Sequence, residues 1–153
     1  MSGQPSSSTV RLAAETWEAL FRSQVAVMRR LQSAPAFKKM PAKEYDVLFT
    51  LSRCPSGKLR LNEINDKVLL SQSSLSRLMD RLEKRGLVAR GVAPDDGRGV
   101  LLELTEAGLE LQKTIGREHV RDIAELVAPA LTPAEQRELL RLTEKLRASV
   151  SGH

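Results

Sequence analysis

Residues 71–88 read SQSSLSRLMDRLEKRGLV, and within them Leu75, Leu78, Met79 and Leu82 recur at spacings of three and four. That is the period of a helix with one buried stripe. The opposite face carries Ser73, Ser74, Ser76, Arg77, Arg81, Lys84 and Arg85, hydroxyls at its start and cations further along. Gly86 then supplies a helix stop. Two short apolar runs follow, Leu87-Val88-Ala89 and Val100-Leu101-Leu102, separated by the turn APDDGRG. A polar-faced helix followed by a hairpin with an arginine at its tip suits a nucleic-acid groove.

Upstream, residues 1–8 are rich in Ser with Gly and Pro and read as a disordered lead-in. A first helix is expected from about Thr9 to Gln32, with Val10, Ala13, Ala14, Trp17, Leu20, Phe21, Gln24, Met28 and Leu31 on one stripe. The segment SAPAFKKMP breaks it. A second helix follows Pro41 and uses Tyr45, Leu48, Phe49 and Leu51. Leu59-Arg60-Leu61 is long enough for a single bridge to a neighbouring strand, and Asn62 reads as the cap of a short third helix carrying Ile64, Val68 and Leu69. Two short helices, a tight turn and a hairpin outline a winged helix-turn-helix.

Downstream, Thr105 caps a fifth helix expected to reach about Val127, with Ile115, Gly116, His119, Val120 and Ile123 on its stripe. Thr132-Pro133-Ala134-Glu135 combines an N-cap, a proline at the first helical position and a capping-box glutamate. The sixth helix places Leu139, Leu142, Leu146 and Val150 at helical spacing. The first, fifth and sixth helices show more apolar surface than a small reading head needs, so they pack on one another, on a second chain, or both. The fold expected is α+β and mostly helical. Residues 9–153 form one domain, with residues 41–104 as the winged helix-turn-helix and residues 9–40 and 105–150 as dimerisation helices.

The chain has 153 residues, 41% apolar and 28% charged, an ordinary globular balance. Lys and Arg total 24 against 19 Asp and Glu, a net charge of +5 that favours an anionic partner without naming it. Between Lys58 and Arg98 nine cations face six anions, a surplus of three per reading head. Aromatic residues are only 3%, against a stacking platform for single strands. Cys54 is the single cysteine, no apolar run approaches a membrane span, and the start MSGQPSSSTV lacks a signal-peptide core, so the cytoplasm is the expected compartment. No metal-ligand cluster, nucleophile–base pair, phosphate loop or carboxylate dyad stands out, so neither an enzyme nor a bound cofactor is expected.

These residues resemble the MarR family of bacterial transcription regulators. The resemblance runs from the first helix to the last. It is most specific in SRLMDRLEKRGLVAR (residues 76–90) and DDGRGVLLELTEAG (residues 95–108). The family's aspartate and arginine two apart at the wing tip, then Leu-Thr-x-x-Gly, are met by Asp96, Arg98, Leu104, Thr105 and Gly108. The resemblance implies a homodimer that binds double-stranded DNA at a roughly palindromic operator, usually as a repressor, with DNA binding weakened in many members by a small, often aromatic or phenolic, effector or by an oxidant. Family members often carry a second basic residue beside the wing arginine, whereas here Gly97 and Gly99 flank Arg98. Peroxide-sensing relatives keep a reactive cysteine in the first helix, where this chain has none.

Ser73, Ser74, Ser76 and Arg77, on the first turns of the fourth helix, are placed to reach bases or phosphates, with Arg81 further along. The plainer alternative is a solvated face with capping serines. Arg98 at its Gly-flanked tip can enter a narrow minor groove. Asp96 would fix the wing's pose by pairing with Arg81 or Arg98. Trp17, Phe21, Tyr45, Phe49 and His119 could line an effector cavity between the first, second and fifth helices, or simply pack the core. A winged-helix adaptor that binds protein rather than DNA remains the alternative function.

Overall fold

The computed structural model describes residues 5–92 and 99–151. Its helices are α1 (Ser7–Gln32), α2 (Ala42–Ser52), α3 (Leu61–Lys67), α4 (Gln72–Lys84), α5 (Glu106–Val127) and α6 (Pro133–Ser151). A 3-10 turn, Pro35–Lys38, joins α1 to α2. Three strands, β1 (Lys58–Arg60), β2 (Val88–Val92) and β3 (Val100–Leu104), form one antiparallel sheet in the order β1-β3-β2. The wing hairpin is therefore β2 and β3, in register from Val88 opposite Leu104 to Val92 opposite Val100.

The periodic stripe of α4 sits where its spacing demands. Leu75, Leu78, Met79 and Leu82 are all buried, against Val47, Leu48 and Leu51 of α2, Ile64 of α3, Leu102 of β3 and Ile115 of α5 in one cluster. Each such side chain taken out of water contributes on the order of 2 kcal/mol. Helix termini follow the capping chemistry of the sequence. The Ser71 hydroxyl accepts from the Ser74 amide (3.2 Å), and the Thr105 hydroxyl accepts from the Gly108 amide (3.0 Å). At α6 the Thr132 and Glu135 side chains each accept from the other's backbone N–H, at 3.3 and 2.8 Å. Gly86 closes α4 at φ +71°, a conformation that disfavours a side chain.

Several expectations are corrected. The first helix begins at Ser7 rather than Thr9, because the Ser6 hydroxyl accepts from the Thr9 amide (3.3 Å). β1 is a three-residue strand paired with β3 from Lys58–Glu103 to Arg60–Leu101, not a single bridge. Asn62 lies inside α3, whose cap is Arg60, and the Glu63 carboxylate accepts from the Arg60 amide (2.6 Å). α3 ends at Lys67, so Val68 is buried just beyond it and Leu69 is fully exposed on the turn into α4. In α2, Val47 takes the buried place and Phe49 is 41% exposed.

The terminal helices behave differently from the head. Of α1 only Leu31 is buried, and α6 buries no residue. Trp17 is 62% exposed, with Phe21, Leu139, Leu142, Leu146 and Val150 also open to solvent. A largely apolar groove of about 900 Å³ runs between α1, the end of α5 and α6, with Leu20, Val127, Leu139, Leu142 and Leu146 on its walls.

The junction of wing and α5 explains one glycine of the sequence motif. Thr105 donates its hydroxyl to the Gly86 carbonyl (2.7 Å) and its amide to the Leu87 carbonyl (3.2 Å), drawing the first turn of α5 onto the chain that leaves α4. A Cβ on Gly108 would stand 2.1 Å from the Leu87 carbonyl oxygen, a backbone atom that cannot swing away. Gly108→Ala should therefore destabilise the fold by about 1–3 kcal/mol, outweighing the better helix propensity of alanine. Urea unfolding measures this, and an unchanged midpoint would contradict the close approach.

Candidate DNA-binding surface

α4 presents its polar face outward. Ser73, Ser76 and Arg77 are exposed and Ser74 is half-buried. The Ser74 hydroxyl accepts from that of Ser71 (2.8 Å), so it serves the cap, while Ser73 lies 3.3 Å from the same Ser71 oxygen. Arg77 reaches back through Nε to the Ser73 carbonyl at 3.4 Å, a weak contact that leaves its guanidinium free to turn outward. Among the described residues, neither Arg77 nor Lys84 has an acidic partner. Both therefore contribute unneutralised charge to this face.

Three further arginines of the head are engaged. Arg81 donates through Nε to Glu44 Oε1 (2.8 Å), and Arg85 lies 3.5 Å from Glu44 Oε2. Arg85 also reaches the Lys39 carbonyl (3.5 Å). Arg90, on β2, forms ion pairs with Asp80 and, at 2.6 Å, with Glu83, both on α4. Arg90 thus braces the hairpin against the helix instead of adding to the outward field. Asp96 and Arg98 lie outside the described residues, so the tip of the wing and its pairing are not part of this geometry.

Tyr45, Phe49 and His119 come together. They line a cavity of about 450 Å³ with Phe37, Gln24 and Met28. The Phe37 ring stands edge-on to Tyr45 (5.6 Å between centroids) and to His119 (4.8 Å). Tyr45 is stacked near Phe49 at 6.1 Å, and its hydroxyl lies 3.5 Å from the Gln112 amide. Trp17 and Phe21 are not on this wall. They stack on each other at 6.1 Å on the open face of α1. His119 Nδ1 and Asp122 Oδ2 are buried without a hydrogen-bond partner. Burial holds the imidazole below the ordinary histidine pKa, with the Asp122 charge partly opposing it. The Cys54 thiol is drawn below its usual pKa mainly by the Ser56 hydroxyl, 3.4 Å away.

Two residues that shape these sites carry no local signal. Glu44 sits in the first turn of α2, where a glutamate reads as a favourable dipole partner, yet its side chain is buried against α4. Phe37 falls in the helix-breaking segment after α1, whose composition hides its packing role.

Comparison with known proteins gives a consistent result. A sequence model of the MarR family matches residues 39–99. The transcriptional regulator PecS of Dickeya dadantii is 30% identical over 112 residues, spanning 72% of this chain and 67% of PecS. MhqR of Bacillus subtilis is 33% identical over 72 residues, 47% of this chain and half of MhqR. The crystal structure of Sco3205, a MarR family regulator of Streptomyces coelicolor in complex with DNA, superposes with a TM-score of 0.75 at 26% identity, covering 90% of each chain. PcaV of the same organism, crystallised with its natural ligand, superposes with a TM-score of 0.66 at 25% identity over 90% of this chain and 92% of that one. With α4 turned outward, a β2–β3 wing and long terminal helices, the chain belongs to the MarR family of winged helix-turn-helix transcriptional regulators and is a DNA-binding regulator.

Proposed function

We propose that the chain acts as a homodimer which lays α4 of each copy in the major groove of a roughly palindromic operator, represses transcription there, and is released by a small aromatic or phenolic effector. The observation that carries this reading is the division of α4. Its apolar stripe is locked into the core, while Ser73, Ser76 and Arg77 remain exposed with an unneutralised guanidinium. Ser74 contributes through the cap that presents the helix N-terminus to phosphate. Arg81 stands at the edge of this surface with its Nε committed to Glu44. Arg98 enters the adjacent minor groove, and Asp96 sets the pose of the wing.

The dimer follows from surface that one chain leaves uncovered. Trp17 and Phe21 on α1 and Leu139, Leu142, Leu146 and Val150 on α6 are exposed in the single chain, apolar side chains gathered on the terminal helices. A second copy covers it and sets the spacing of the two α4 helices. The effector site is the cavity of Tyr45, Phe49 and His119, walled by Phe37. Its aromatic edges and one titratable imidazole suit a flat phenolic ligand, and PcaV, crystallised with its natural ligand, shares the fold. Trp17 and Phe21 belong to this reading through the dimer face rather than through the cavity wall.

Three outcomes test it. Arg77→Ala should weaken operator binding by about 1–3 kcal/mol and relax preference at one base pair, while Arg98→Ala weakens all duplexes evenly and lowers the salt slope by about one. Gel shifts across a salt series read both, and unchanged affinity in both variants would remove this surface. Leu142→Glu should yield a folded monomer by sedimentation velocity, with operator binding lost. For His119, the folded pKa is depressed by burial, so the unfolded chain takes up the proton first as pH falls. Stability should be full above the ordinary histidine pKa of about 6.5 and decline below it until the folded value is passed. His119→Gln should flatten that decline in urea midpoints, whereas an identical pH profile would show that the imidazole is not held neutral.

A further inference from the structure

Glu44 is the one charged side chain in the core among the described residues, at 4% exposure. It stands in the first turn of α2, with its amide bonded to the Pro41 carbonyl (3.0 Å), on a helix anchored by the fully buried Val47, Leu48 and Leu51. Its carboxylate faces two guanidinium groups one helical turn apart, on Arg81 of α4 and on Arg85 at its C-cap, with Oε1 on Arg81 Nε (2.8 Å) and Oε2 towards Arg85 Nη1 (3.5 Å). A buried carboxylate is costly unless it is paired, so the two contacts are a condition of its being there.

We infer that Glu44 is a positioning residue for DNA recognition, fixing the rotation of α4 about its own axis through Arg81 and Arg85. The inference rests on α4 being the DNA-reading helix. Apolar contact is non-directional, so the stripe of Leu75, Leu78, Met79 and Leu82 decides which face is buried but constrains small rolls weakly. A charge-assisted hydrogen bond is directional, and the one from Arg81 to this buried carboxylate, together with the Arg85 ion pair one turn further along, defines a roll angle. A helix is about 10 Å across, so a roll of about 10° shifts a group on its outer face by about 1 Å. That shift is enough to lose a base-edge hydrogen bond but not a phosphate attraction. Glu44 therefore acts on discrimination between sequences more than on affinity for duplex DNA in general.

The test uses the full chain and two duplexes of equal length, one selected by the wild-type protein from a random pool and one unselected. In Glu44→Gln the amide still accepts from Arg81 but turns an N–H towards Arg85, and a negative charge behind the DNA face is lost. Affinity for the selected duplex should fall at least about tenfold, with affinity for the unselected duplex unchanged or higher. Equal loss on both duplexes, or an unchanged ratio between them, overturns the inference, because a merely structural role would lower both together. Should Glu44→Gln fail to fold, Arg81→Gln decides: discrimination falls more than overall affinity if Arg81 is the tie. If it is only a phosphate contact, both duplexes weaken alike and the salt slope drops by about one, which overturns the inference. Arg77→Ala separates the premises. Discrimination lost there but kept in Glu44→Gln sinks the role of Glu44 alone, while discrimination kept in Arg77→Ala sinks the assignment of α4.

Discussion

The burial of Leu75, Leu78, Met79 and Leu82 against α2 and the sheet is the constraint from which the head is built. Those side chains leave water in one cluster with Val47, Leu48 and Leu51, and with that stripe turned inward Ser73, Ser76 and Arg77 face outward. Stability and recognition are therefore two faces of one helix. A change that weakens the stripe therefore also disturbs the orientation of the polar side.

Electrostatics divides the basic residues into working groups. A surplus of positive charge is visible in the composition, but much of it is consumed inside the head. Glu44 occupies Arg81 and Arg85, and Asp80 with Glu83 occupies Arg90. What remains on the outer face of α4 is sparse and localised, which suits selective contact better than indiscriminate attraction to a polyanion.

The regular parts of this architecture were legible because their causes are local. The period of α4, the threonine caps of α5 and α6 and the left-handed Gly86 each depend on residues within a turn of one another. The hairpin was legible in the same way, from two apolar runs around the turn APDDGRG. What was hidden depends on partners far along the chain. β1 pairs with β3 more than forty residues away, and the same strand supplies Arg60 as the cap of α3 in place of Asn62. Glu44 meets Arg81 across 37 positions, and Phe37 gains its role only when Tyr45 and His119 close around it. Trp17 and Phe21 share a helical stripe with Gln24 and Met28, yet only the latter pair reaches the cavity, because α1 extends beyond the head by several turns.

The brace between Arg90 and the two α4 carboxylates gives the head a mechanical property. Because β2 is pinned to α4 there, and Thr105 clasps Gly86 and Leu87 at the foot of α5, the hairpin and the helix are joined into a single paddle. α5 is the shaft of that paddle, and His119 lies on it more than three turns from the clasp. The end of the shaft that borders the aromatic cavity and the end that meets the hairpin thus belong to one continuous helix, so the two regions share a single rigid element.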